Sequence, residues 1–424
     1  MTTIASIHAR QLIDCKGRPM VEAVVRCADG SVGRGGAPTG TSVGMHEAFV
    51  LRDGDPGAYA GLSVYKAIKN IDEIIAPALI GMPIDDQRSI DKRMTELDGT
   101  ENKSRLGGNA IYSVSIACLR AAACHSGVPV YAYLAGGSAI TLPIPGYNMI
   151  NGGRYDALTQ PFNEFIMMPW RARSTVEAVE MGVLIFDELG RVLARRLGHK
   201  PHTAGSYGYA APSADPAEVL GLMRQAAENC GYKGRVAFAL DCASSEMYDA
   251  DTGTYLLYDR RVSADELIDC ARRLSDAFDL AFIEDLLDEN DWDAWGRAAG
   301  KLKRTLLLGD DLIVSNRARL EKAHAMRAVD GFILKPNQVG TITEALDTYG
   351  YAVDNGLLAV TSGRSGGVVD DIVMDLAVGL RVGFIKNGAP RSGERIEKLN
   401  FLLRAQDDNP GCRLADISAT VRFL

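Results

Sequence analysis

Two different rhythms of apolar and polar positions run along the 424-residue chain. Residues 4–14 and 20–27 alternate apolar and polar side chains, as half-buried strands do. "PTGTSVGMHE" (38–47) is rich in Gly, Ser and Thr and reads as a mobile loop. A helix is predicted from about Asn109 to His125, with Ile111, Val114, Cys118, Leu119 and Ala122 on one face and Gly127 and Pro129 beyond its end. "AGGS" (135–138) followed by "LPIP" marks a boundary, giving an α+β domain over 1–134 and a second domain over 140–424.

In the second domain short apolar runs alternate with helical patterns. The runs are VAFALD (236–241), AFIED (281–285), TLLLGDD (305–311), GFILKPN (331–337), LLAVTSGRS (357–365) and VGFIKNG (382–388). Ser263 with Glu266 and Thr341 with Glu344 read as capping boxes that start two of the intervening helices. Repeated β-α units of this length predict an α/β domain built on a parallel barrel. The alternative, a doubly wound sheet, would show a Gly-rich phosphate turn after an early strand, and this half has none.

The ends of these runs carry the chemistry. Asp241, Glu284 and Asp310 end three successive runs, Lys335 the next, Ser362 to Ser365 the one after, and Lys386 the last. The C-terminal ends of barrel strands converge on one face. Three carboxylates gathered there repel one another unless a cation holds them, and oxygen-only ligands favour Mg²⁺. A lysine beside such a site is a candidate base, because nearby positive charge lowers its pKa. Metal plus lysine suits removal of a proton α to a carboxylate.

Charge and composition narrow the partners. The net charge of -8 argues against nucleic acid or an anionic membrane. No apolar run reaches the ~20 residues of a membrane span. The N-terminus shows no export pattern, so a cytoplasmic protein is expected. Eight singly spaced cysteines and six scattered histidines give no metal-finger or zinc spacing.

"PTGTSVGMHEAFVLRDGD", "ELDGTENKSRLGGNAI", "YNMINGGR", "LDCASSEMYD", "FIEDLLDENDWDAW", "LLGDDLIVSN", "LKPNQVGTITEA" and "IKNGAPRSGERIEKLNFLL" follow one another in the order of enolase motifs, and the chain resembles enolase over nearly its whole length. The resemblance implies an N-terminal α+β capping domain, a C-terminal modified (β/α)8 barrel, Mg²⁺, a homodimer or higher homo-oligomer, and elimination of water from a 2-phosphoglycerate-type acid. It makes Asp241, Glu284 and Asp310 ligands of one Mg²⁺ and Ser42 a ligand of a second. Lys335 becomes the base, Lys386 the carboxylate binder, Arg364 and Ser365 the phosphoryl binders, and Glu164 the group at the leaving hydroxyl.

The sequence departs from enolase at that same site. A loop resembling "VGDEGGFAP" reads "AGSYGYAAP", so Tyr207 stands where an acid is expected. "NGGSHAG" becomes "NGGRYDA", which puts Arg154 and Tyr155 in place of serine and histidine, and "SHRSG" becomes "SGRSG", which puts Gly363 in place of histidine. Gly363 leaves room beside the phosphoryl group and Arg154 adds a candidate cation. Tyr207 offers a neutral phenol that can donate a hydrogen bond. The pattern predicts a dehydratase for a more anionic head group, such as the carboxyphosphonoglycerate dehydrated by enolase-like paralogues of phosphonate biosynthesis. An ordinary enolase and a non-catalytic binding protein are the alternatives.

Overall fold

A computed structural model of the chain describes residues 2–40, 44–153 and 160–424. Ser42, Arg154 and Tyr155 therefore lie outside the described residues. The N-terminal part opens with an antiparallel meander of three strands, Ile4–Ile13, Pro19–Cys27 and Val32–Gly36. In the second strand the alternation read from the sequence is the burial pattern, with Val21, Ala23, Val25 and Cys27 facing inward against helices; in the first only Ile4, Ile7 and Ala9 are buried, and Leu12 and Ile13 are exposed.

The helix expected near Asn109 runs Gly108–His125. It is not half-buried as its single apolar face suggested. Every residue from Gly108 to Ala123 except Arg120 is buried. The reason is its position between the meander and the barrel. On one side Gly33 and Gly35 let the sheet backbone touch the helix backbone. A Cβ at either would sit 2.0 Å from the Ala117 carbonyl or 2.1 Å from the Ser113 carbonyl. On the other side Ser115 Oγ accepts a hydrogen bond from the backbone N–H of Ile342 in the barrel domain. Gly35→Ala is expected to destabilise the protein by about 3 kcal/mol, because backbone atoms cannot move aside as a side chain would. A melting temperature within 1 °C of the parent's would sink this account.

Eight strands close into the barrel: Ile144–Asn151, Glu164–Met168, Ala237–Asp241, Leu280–Glu284, Leu306–Gly309, Gly331–Leu334, Leu358–Ser362 and Phe384–Lys386, the last pairing with the first. The second strand is antiparallel to both neighbours and the other pairings are parallel. The N-terminal α+β domain and the modified (β/α)8 barrel are thus both present. Six of the strands coincide with the apolar runs. The first two, Ile144–Asn151 and Glu164–Met168, were not among them; Pro145 and Gly146 interrupt the apolar pattern of the first.

Side chains alternate across the barrel wall with period two. Ala237 and Ala239, Phe282, Leu306 and Leu308, Ile333, Val360 and Phe384 fill the interior. Ile417, Val421 and Phe423 pack into the same cluster, with Phe423 edge-on to Trp170. Two residues further along each strand, the same inward-facing row reaches Asp241, Glu284, Asp310, Lys335, Ser362 and Lys386. The antiparallel strand runs the other way, so its inward row, Met168 and Ile166, reaches the same mouth at its first residue, Glu164.

Of the two predicted helix starts, Ser263 and Glu266 form the full reciprocal capping box. Thr341 accepts from the Glu344 backbone N–H, but the Glu344 carboxylate turns to the Thr341 hydroxyl and to Lys103 Nζ, 2.9 Å away. That ion pair joins the barrel domain to the N-terminal one. No helix among the described residues is long and apolar enough to cross a membrane.

Candidate active site

The barrel mouth gathers four acids and two lysines into one buried charge network. Lys386 Nζ lies 2.5 Å from Glu284 Oε2, 3.1 Å from Asp241 Oδ2 and 3.4 Å from Glu164 Oε2. Lys335 Nζ pairs with Asp310 Oδ2. Burial alone works to lower the pKa of both ammonium groups. The carboxylates outweigh it, Asp310 and Glu284 for Lys335 and Asp241 and Glu284 for Lys386, so both pKa values are raised. Burial first and Asp241 second push the Glu284 carboxyl well above its ordinary range. Asp310 is held below its range despite burial, by the two lysines.

Neutral donors fix the acids. Asn163 Nδ2 donates to Asp241 Oδ2 at 3.2 Å, and Asn148 Nδ2 to Glu164 Oε1 at 2.8 Å. Gln338 Nε2 donates to Asp310 Oδ1 at 2.9 Å, while Ser315 Oγ donates to Gln338 and accepts from the Lys335 N–H. Asp285, at φ 46°, turns both carboxylate oxygens onto the backbone N–H groups of Asp310 and Asp311, at 2.8 and 2.9 Å. The chain thus spends an acid on holding the turn that presents Asp310.

A hard cation fits this donor set. Glu284 Oε1 is buried with no hydrogen-bond partner among the described residues, an arrangement that is costly unless something binds there. Asp285, Asp310 and Asp311 also bring carboxylate oxygens within 4.8 Å of one another. An acidic group able to hold a divalent metal is present, and every ligand it offers is oxygen.

Three residues are placed differently from expectation. Tyr207, at φ 69°, does not line the cavity. Its hydroxyl donates to the Cys15 carbonyl at 3.2 Å and its ring packs 4.7 Å from the Arg395 guanidinium. A phenol tied to backbone does not face a departing hydroxyl, so the catalytic role read for it does not match this geometry. The room expected at Gly363 is taken by an ammonium: a Cβ there would sit 2.4 Å from Lys398 Nζ. Arg364 does line the cavity with Ser365, but its guanidinium also grips Glu47, at 2.9 and 3.1 Å. That buried pair fastens the segment after residue 43 onto the barrel.

Sequence reasoning passed over Asn163, Gln338, Glu47, Arg395 and Lys398. For the last two a signal existed. The helix Gly393–Asp408 buries Glu394, Arg395 and Lys398 ahead of Leu399, Leu402 and Ala405, so its core-facing stripe begins with three charged residues, two of them cations. Charge on the apolar stripe of a helix marks a buried polar site.

Comparison with known proteins agrees with this architecture. Residues 4–134 match the family model "Enolase, N-terminal domain" and residues 139–412 match "Enolase, C-terminal TIM barrel domain". A protein named Enolase from Methanopyrus kandleri is 42% identical over 415 residues, 97% of this chain and 97% of that protein. An Enolase from Methanococcus maripaludis is 40% identical over 406 residues, 96% of this chain and 95% of that one. Two matched domains laid end to end, full-length relatives, and an acid-lysine mouth on an eight-stranded barrel together make this chain a member of the enolase family and a hydro-lyase of the enolase type.

Proposed function

We propose that the chain dehydrates a small 2-phosphoglycerate-like acid whose head group is more anionic than a phosphate monoester. The reaction class is carried by one observation: Lys335 and Lys386 meet Asp310, Asp241, Glu284 and Glu164 at a single barrel mouth. Lys335 takes the α-proton. Glu164 protonates the hydroxyl that leaves the β-carbon, and the electrons of the broken C–H bond become the new C=C bond. Lys386 holds the substrate carboxylate, and Arg364 with Ser365 holds the phosphoryl end.

Asp241, Glu284 and Asp310 would hold Mg²⁺, and Ser42 a second ion. Bound there, Mg²⁺ would supply positive charge that loosens the carboxylates' hold on the Lys335 ammonium and steadies the negative charge building on the substrate carboxylate. The protein would work in the cytoplasm as a homodimer or larger homo-oligomer.

The altered head group rests on Tyr207, Tyr155 and Gly363, which replace an acid and two histidines of the resembling motifs. Carboxyphosphonoglycerate, converted to carboxyphosphonoenolpyruvate, has the added carboxylate. The ordinary-enolase reading is favoured by the full-length relatives printed as Enolase. Enol formation followed spectroscopically on both acids separates the two. The expected result is about 100-fold higher kcat/KM for the carboxylated acid, the worth of one charge-assisted hydrogen bond realised in the transition state. Ordinary enolase rates on 2-phosphoglycerate would leave the second reading standing instead.

A further inference from the structure

Lys398 has no part in the elimination, yet it lines the active-site cavity. It is 4% exposed and reaches the cavity from the helix Gly393–Asp408, passing Gly363. Its nearest acid is Asp371, whose Oδ2 is 4.0 Å away, beyond hydrogen-bond distance. The other Asp371 oxygen accepts the Val373 N–H at 3.2 Å, and Oδ2 itself has no hydrogen-bond partner among the described residues. Burial pushes the Lys398 pKa down, and the attraction of Asp371 and, more weakly, Glu394 only partly offsets it. Arg395 on the same helix adds repulsion, while the Arg364 guanidinium is shared with Glu47. A buried ammonium with three donors and no hydrogen-bonded acid among the described residues is under-compensated, and an anionic oxygen in the cavity would relieve it.

The reach depends on residue 363. Any side chain there would place its Cβ 2.4 Å from Nζ and 3.1 Å from Asp371 Oδ2, which would turn the lysine away. Glycine at this position therefore puts a cation beside the head-group end instead of leaving a gap.

We propose that Lys398 is a specificity-determining residue whose ammonium, admitted past Gly363, binds an anionic oxygen that the substrate's head group carries beyond those of a phosphate monoester. The inference rests on the altered-head-group reading above. The chemical class it selects is a carboxylated phosphonyl group.

The test uses the full chain with Mg²⁺ and two probes, phosphonoformate and methylphosphonate, which share the phosphonate and differ by one carboxylate. Calorimetry is expected to show the parent binding phosphonoformate at least about 10-fold more tightly, the scale of one charge-assisted hydrogen bond. In Lys398→Met that advantage is lost. In Gly363→Ala, which keeps the lysine but displaces its Nζ, it is also lost, and this second variant guards against a fold defect in the first. On the two glycerates, Lys398→Met should lower kcat/KM for the carboxylated acid 10- to 100-fold more than for 2-phosphoglycerate. A parent preference that survives in both variants overturns the assignment and leaves the head-group reading intact. A parent with no preference between probes and ordinary 2-phosphoglycerate turnover overturns the head-group reading, and this inference with it. Equal losses on both glycerates would assign Lys398 a structural role and likewise overturn the proposal.

Discussion

Lys335→Ala should slow exchange of the substrate's α-hydrogen with solvent deuterium by roughly 10²- to 10⁴-fold, the usual contribution of a positioned general base. The geometry behind this is specific. Lys335 ends the inward row of the sixth barrel strand, its backbone N–H is fixed by Ser315, and its Nζ pairs with Asp310. Removing the ammonium leaves Asp310 still held by Gln338 at 2.9 Å and by the Asp285 brace, so the mouth keeps its shape. Isotope exchange reads the proton-transfer step itself and not product release, which makes it a cleaner measure than turnover. Exchange at the parent rate in the alanine variant would move the base to Lys386, the other ammonium in the network.

Most of this mouth could be read from the chain because barrel strands announce themselves twice. Their apolar runs mark the wall, and the period of two carries the interior row to a definite residue at the end. Ala237, Ala239 and Asp241 are one such row, and Leu306, Leu308 and Asp310 another. Glu164 obeys the same alternation in reverse. Its strand is antiparallel, so a reading that looks only at strand ends passes over it, and its place came from resemblance alone. Residues held through non-local contacts were hidden. Nothing near Arg364 in sequence foretells Glu47, which meets it across 317 positions. Nothing in "SGRSG" foretells that Lys398 fills the space at Gly363, because that depends on where a helix 30 residues later lies. Tyr207 shows the opposite failure. Its position in the loop suggested chemistry, but its hydroxyl is taken by the Cys15 carbonyl and its ring by Arg395.

The N-terminal domain does more than cover the barrel. Glu47 holds the Arg364 guanidinium, and Cys15 lends a carbonyl to Tyr207 and its thiol to the Ser365 carbonyl, 3.5 Å away. Both segments thus meet Arg364 and Ser365, the residues proposed to hold the head group. Changes in head-group preference are therefore expected to arise in loops of both domains, whereas the residues proposed for proton transfer, Lys335 and Glu164, both stand at the ends of barrel strands.

Glu284→Gln is expected to weaken Mg²⁺ binding about 100-fold and to abolish dehydration. Glu284 is fully buried at the end of its strand, one oxygen 2.5 Å from Lys386 Nζ and the other without a partner among the described residues. Glutamine keeps the shape and removes the charge. One of three anionic ligands is lost, and Lys386 then leans on Asp241 and Glu164 alone. Removing one partner from a buried ion pair costs about 3–5 kcal/mol, enough for two orders of magnitude in affinity or more. A second acid group competes for the assignment: Asp285, Asp310 and Asp311 also converge. The brace argument separates them, since both oxygens of Asp285 already accept backbone N–H groups and are committed to the turn. Titrating Mg²⁺ into Glu284→Gln and Asp311→Asn by calorimetry decides the matter. The first should lose affinity far more than the second. Unchanged binding in Glu284→Gln together with a loss in Asp311→Asn would shift the metal to the Asp310–Asp311 side of the mouth and remove Glu284 from its ligands.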